Sequence, residues 1–203
     1  MANSKNIIVG ASRVWIGSKS AVKPALAAGT SYNTTLASAA GWRDVGFTQE
    51  GVEFSNEPEF GDVEVDQLLD SARTFKSGVR NSINTTFAEA TLENLLVVWG
   101  QQDTTLSTVG GNSVLTVVGG ALGEAPLERQ LIIVGNGTEN ASNGFYNERS
   151  YHFTRAISVE SSSFAQRRAE ATVFPVSFRL LPGGGEGNPY GTFTERERTW
   201  AVA

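Results

Sequence analysis

Hydrophobic and polar residues alternate most regularly between Arg73 and Ala88. Odd positions carry Phe75, Val79, Ile83 and Phe87; even positions carry Thr74, Lys76, Gly78, Arg80, Ser82, Asn84 and Thr86. A period of two puts these sets on opposite faces of a strand, one buried and one wet. The four-residue apolar spacing also fits a helix, but Gly78, Asn81, Asn84 and the threonines favour a strand. At about 3.3 Å per residue the segment would reach ~50 Å. Typical strands have about 5–6 residues, so part of this one is expected to protrude or to pair with another chain.

A helix is predicted over about residues 90–99. Leu92, Leu95, Leu96 and Trp99 form one apolar stripe, Glu89 and Glu93 lie near its N-terminus, and Gly100 suits the position after its end. Strands are predicted at 13–17, around Trp42–Phe54 with a bulge or turn at Gly51, at 114–118, 127–134, 149–160 and 170–181. Gln130 to Val134 is apolar on both faces and belongs in a sheet interior. Pro175 requires a strand edge or bulge. Residues 18–41, 101–112 and 135–144 read as loops. Residues 1–12 read as an arm and 192–203 as a charged tail. The whole, 1–203, reads as one mainly β domain: an antiparallel β-sandwich or barrel of two packed sheets with one flanking α-helix.

The chain of 203 residues has no cysteine, which excludes a disulfide framework and thiolate metal sites. With 21 acidic against 16 basic residues, tight binding of nucleic-acid phosphates is not expected. No apolar stretch reaches the ~20 residues that span a bilayer, and the N-terminus lacks a signal-peptide core, so a soluble, cytoplasmically made protein without membrane partners is expected.

Charge is segregated. Nine of the 21 acids fall between Asp44 and Asp70, and no Lys or Arg lies between Arg43 and Arg73. Basic pairs occur at Arg167–Arg168 and at Arg196 and Arg198. This suits docking of one copy onto the next, and it also suits ordinary surface charge. The sole histidine, His152, falls on the more polar face of its strand and reads as a surface residue rather than a catalytic one. Asp62, Glu64 and Asp66 alternate along one face; they could hold a cation or simply keep a surface acidic. The glycine-rich pieces fit no phosphate-binding loop. No catalytic group, cofactor or metal site is expected.

Four segments together resemble the major tail tube proteins of long, non-contractile-tailed bacteriophages. They are Gly46-Phe47-Thr48-Gln49-Glu50-Gly51-Val52, Val63-Glu64-Val65-Asp66-Gln67, the strand-to-helix junction Phe87-Ala88-Glu89-Ala90-Thr91-Leu92-Glu93-Asn94-Leu95, and the late hairpin Phe174-Pro175-Val176-Ser177-Phe178-Arg179. The resemblance covers roughly 42–100 and 150–181; residues 101–148 carry none of it. It implies a subunit that forms rings, usually hexameric, stacked into a hollow virion tube through which DNA passes at ejection. It also implies other tail proteins as partners: tape measure, terminator and distal tail proteins. The acidic extended loop 49–70 would then bridge rings, carrying Glu50, Glu53, Glu57, Glu59, Asp62, Glu64 and Asp66, with 1–12 and 183–203 as the N- and C-terminal arms. Arg167, Arg168, Arg196 and Arg198 would be docking cations. Arg73–Ala88 and Arg149–Glu160 would line the bore, with Arg80, Ser82, Asn84 and Thr86 facing the lumen. Alternatives are the tube protein of a contractile secretion or bacteriocin machine, a tail terminator, or a carbohydrate-binding β-sandwich using Trp15, Trp42, Trp99 or Tyr190.

Overall fold

A computed structural model describes residues 4–26, 29–67, 69–140, 144–159, 162–184 and 189–198. Its elements are β1 (Arg13–Ser18), α1 (Tyr32–Ser38), β2 (Trp42–Asp44), β3 (Thr48–Val63), β4 (Arg73–Phe87) and α2 (Leu92–Val98). Then follow β5 (Leu106–Val109), β6 (Asn112–Leu115), β7 (Arg129–Glu139), β8 (Tyr146–Ser158), β9 (Phe174–Leu180) and β10 (Gly191–Arg196). Eight strands form one antiparallel sheet in the order β2-β1-β7-β8-β9-β4-β3, with β10 beside β8. β5 and β6 form a second, two-stranded sheet, which packs on the same core through Leu106 and Leu115. The protein is mainly β with two packed antiparallel sheets, and it does not close into a barrel.

β8 is where the large sheet changes direction. Its residues 148–153 pair with β10 and residues 156–158 pair with β9. Switching neighbours along one strand lets the sheet fold over itself. Val14, Ile16, Leu131, Ile133 and Phe153 from one side then meet Ile83, Phe87, Phe174, Val176 and Phe178 from the other. β7 lies between β1 and β8, and Leu131 to Val134 are buried on both faces, as their continuous apolar run requires.

α2 closes one end of this core. Thr91 caps it by accepting a hydrogen bond from the Asn94 backbone N–H. The helix buries Asn94, Leu95, Leu96, Val97 and Val98, whereas Leu92 and Trp99 remain partly exposed. The predicted stripe is therefore only half right. The helix is plugged into the body by Asn94, whose side-chain amide donates to the backbone oxygens of Val45 and Glu89, each at 2.9 Å. Ser158 adds a bond to the Val98 carbonyl at 2.7 Å.

The single-helix expectation is corrected by α1, in a segment that reads as a loop. Ser31 caps α1, and Tyr32 and Leu36 are buried against Trp15, Trp42, Ile132 and Val134. This second core lies on the opposite face of β1 and β7 from the first. It covers the even positions of β8 as well: Glu148, Ser150 and His152 are buried. The wet face expected for 149–160 is thus absent over this stretch. The β5–β6 hairpin also replaces part of the expected 101–112 loop, and β10 takes up residues 191–196 of the expected C-terminal arm. The end of that arm, 199–203 with Trp200, lies outside the described residues.

Residues 49–70 do not form a loop but mostly a strand. β3 pairs with β4 along its whole length. β9 pairs with β4 only from Asn81 to Phe87. Residues 57–63 and 73–80 therefore form a two-stranded ribbon with no third strand among the described residues. At about 3.4 Å per residue it extends ~25 Å beyond the body. Two bulges shape it. The first falls between Gln49 and Val52, with Glu50 at φ 65° and Gly51 at φ 78°. This is the bulge predicted at Gly51, and it places Glu50 in a left-handed conformation that non-glycine residues seldom adopt. In the second, Glu59 opposes Gly78 and Phe60 opposes Lys76, leaving Ser77 as the extra residue. Phe75 consequently shares a face with Gly61 and Glu59, opposite to Ile83. A methyl group on Gly61 would come within 2.8 Å of the Phe75 ring.

The facing of β4 generates a stability prediction. Ile83→Ala should cost ~2–4 kcal/mol, because Ile83 is 1 % exposed. Phe75→Asp, at a site 47 % exposed, should change stability by no more than ~0.5 kcal/mol. Urea denaturation of the dissociated protein reads both; similar losses at the two sites would contradict the bulge-switched facing.

Candidate assembly surface

The acidic residues Glu50, Glu53, Glu57, Glu59 and Asp62 stand along β3, and Glu64 and Asp66 follow in the connection to β4; all seven are exposed. Their local bonds are to neutral groups: Glu53 accepts from Asn84 at 3.3 Å, Glu57 from Ser55 at 3.3 Å and Asp62 from Thr74 at 2.6 Å. The strand ends at Val63, so Asp62, Glu64 and Asp66 do not share a strand face. Among the described residues no three acidic or histidine groups are placed to hold a metal ion. The same ribbon exposes Phe60, Val63, Val65, Leu69 and Phe75. Acidic and apolar groups are interleaved at its tip.

Arg80, Ser82, Asn84 and Thr86 fall on one face of β4, away from the core residues Ile83 and Phe87. Their cross-strand neighbours on that face are Glu57, Ser55, Glu53 and Gln49 on β3, and Arg179, Ser177 and Pro175 on β9. Ser177 donates to Asn84 at 2.7 Å. The result is a continuous polar face across β3, β4 and β9. Pro175 is tolerated because β8 pairs only with Phe178–Leu180, leaving β9 an edge strand at the proline.

The four predicted docking arginines divide. Arg168 is exposed, and Arg167 is exposed and paired with Glu170 at 2.8 Å. Arg196 instead points inward. It pairs with the buried Glu148 at 3.0 Å and donates to the Thr30 carbonyl. Glu148 also accepts from Ser31 Oγ at 2.5 Å and from the Tyr32 backbone N–H at 3.1 Å. One carboxylate thus joins β8, the N-terminus of α1 and β10, and the helix dipole favours it there. Arg198 is half-buried beside this node, in a cleft lined by Arg13, Ser31 and Glu148. The node was not expected from the sequence; Ser31 ahead of Tyr32 and Leu36 was the available signal.

His152 is buried rather than on the surface. Its ring nitrogen Nε2 lies 3.0 Å from Gln130 Oε1. The Gln130 amide nitrogen donates to the carbonyls of Lys19 and Ala21, so its oxygen is the acceptor and His152 Nε2 carries the proton. Burial, with a smaller effect from Lys23, pushes the imidazole down to about 4. It is neutral at pH 7 and has Trp42 edge-on at 6.1 Å, a structural setting. The indoles of Trp15 and Trp42 are buried too, so neither offers a sugar platform.

With this geometry in place, comparison with known proteins is decisive. A family model described as phage tail tube protein matches residues 1–199. The chain belongs to the phage tail tube protein family. No curated protein matches it. The tail tube protein is a structural subunit of a phage tail, in a family that is not enzymatic. Residues 101–148, without resemblance in the sequence reading, fall within the match. No helix is long and apolar enough to cross a membrane among the described residues.

Ionisable groups held below their ordinary values shape the acid stability of this tail tube protein, among them the buried His152 and the half-buried Glu128. His152 is held below its ordinary value, so it binds a proton more readily when unfolded. Its contribution is complete above pH ~6.5 and is lost as pH falls to about 4. Glu128, hydrogen-bonded by Arg155 at 2.6 Å, is held at about 2; its contribution is complete above pH ~4.3 and lost towards 2. Thermal denaturation across pH should show both limbs. His152→Gln should flatten the limb between pH 6.5 and 4 and keep the lower one; an unchanged profile would contradict the neutral buried histidine.

Proposed function

We propose that copies of this chain associate side by side into rings, hexameric as is usual for such subunits, which stack into the hollow tail tube that conducts DNA at ejection. The observation that carries the reading is the β3–β4 arm. Its outer residues have no third strand among the described residues and expose Phe60, Val63 and Phe75 to water. An isolated two-stranded ribbon is marginal in water, and exposed strand edges invite pairing. A neighbouring copy supplies both the missing contacts and the missing apolar cover.

In this arrangement the polar face of β3, β4 and β9 lines the bore, with Arg80, Ser82, Asn84 and Thr86 turned to the lumen. Glu53, Glu57 and Glu59 offset Arg80 and Arg179 on that face. A neutral-to-acidic wall repels DNA phosphates and lets the duplex slide. The acidic arm and the terminal segments, with Ile7 and Val9 exposed at the N-terminus, bridge successive rings. Terminator, tape measure and distal tail proteins meet the ends and interior of the tube.

Electron microscopy of the purified protein tests this. The full chain should form long tubes. The ladder remains backed by β9 up to Asn81, so joining Asn56 to Asn81 through an Asn–Gly turn should leave a folded, monomeric body that forms none. Tubes from the shortened chain, or a stable monomer from the full chain at high concentration, would overturn the reading.

A further inference from the structure

β10 lies off the main path of the large sheet, and β8 is its only neighbour among the described residues. None of its six residues is buried, and none belongs to either core. Phe193 is 66 % exposed and leans on the rings of Tyr151, Phe153 and Phe54, with centroids 5.0, 5.8 and 6.4 Å away. Yet β10 covers a vulnerable edge. Without it, one side of β8 from Glu148 to Phe153 loses its ladder, and the rings of Tyr151 and Phe153 lose part of their cover. A bare strand edge beside aromatic rings is a template for pairing with another chain.

Two consecutive residues at the end of β10 hold it, on opposite faces of the strand. Glu195 accepts hydrogen bonds from the Thr138 backbone N–H at 3.0 Å, from Asn147 at 3.2 Å and from Arg149 Nε at 2.8 Å. Gly137 makes room for it: a methyl group there would come within 2.8 Å of the Glu195 carboxyl group. Arg196 reaches the other way, to Glu148, to the Thr30 carbonyl and over the Tyr32 ring at 5.4 Å. The first ion pair stays in touch with water, Arg149 and Glu195 being 27 % exposed each. A strand without a core anchor, fastened at one end by partly exposed charges, is where local opening costs least. We propose that β10 is a releasable guard strand. Latched through Glu195 and Arg196, it keeps the β8 edge of the lone chain from pairing; released, it opens that edge to a strand of a second copy. The inference rests on the reading that copies of the chain associate, and adds what holds association back.

Sedimentation of the purified protein measures self-association whether or not tubes result. In the cysteine-free chain, Arg149→Cys with Glu195→Cys puts a disulfide in place of the latch, between residues opposite each other on β8 and β10. Oxidised, this chain should stay monomeric where the wild type assembles. Reduced, it should associate at a concentration at least tenfold below that of the wild type. Gly137→Ala displaces Glu195 without removing a charge and should lower that concentration at least tenfold too. It should also speed hydrogen exchange of residues 191–196 at least tenfold, while Leu131–Val134 and α2 stay protected. A synthetic peptide of residues 189–198 should suppress association of Gly137→Ala by covering the vacated edge. Loosened variants as monomeric as the wild type, association that the peptide leaves unchanged, or an oxidised chain that assembles as well as the wild type would each overturn the guard. Association of the loosened variants that the peptide blocks, with no tubes from the wild type, would support the guard and remove the tube reading.

Discussion

Backbone hydrogen bonding at open strand edges is the constraint on which the rest of this structure depends. Every strand has two sides of amides and carbonyls, and only internal strands satisfy both. Here the body meets that demand for its central strands by folding a sheet about β8, which passes from β10 to β9 along its length, and leaves β2, β3 and β10 as edges. The outer β3–β4 ribbon does not meet it, because β9 stops at Asn81. A chain that burdens itself with such an arm, tipped by apolar and acidic residues together, is built for contact with another molecule.

The body that holds the arm is stiffened on two faces. One core is closed by α2 through Asn94, which ties the helix to the approach to β3. The other is closed by α1 through Glu148, which gathers the helix N-terminus and Arg196 of β10 around one carboxylate. Buried polar groups of this kind fix one arrangement when every member is bonded. His152 belongs to the same scaffold: its proton is held by Gln130. The polar groups buried in this tail tube protein thus serve its scaffold.

Much of this was legible in the sequence. The length of β4, the bulge at Gly51, the two-faced burial of Leu131–Val134 and the edge position of Pro175 follow from local pattern and backbone chemistry. The failures have physical causes. Phe75 reads as inward because period two was continued through Ser77, where the bulge reverses the faces. α1 was hidden by a run of Ser, Thr and Ala whose helix forms through Ser31 capping and the packing of Tyr32 and Leu36. The polar face of β8 reads as wet because its cover, Tyr32, Leu36 and Trp42, comes from residues more than a hundred positions away. The pairing of Arg196 is hidden in the sequence for the same reason: its partner, Glu148, is close only in space. The acids of the arm were visible as a charge segregation, but their placement on a strand required the pairing of β3 with β4.

The measurement closest to the central claim is hydrogen exchange of the arm amides, residues 57–63 and 73–80, in dissociated and assembled protein. Amides paired in the unsupported ribbon should exchange rapidly in the dissociated chain, while those of β7 stay protected. On assembly the arm should become protected to the level of the body. Strong protection of the arm in the lone chain, or no gain of protection on assembly, would contradict the account.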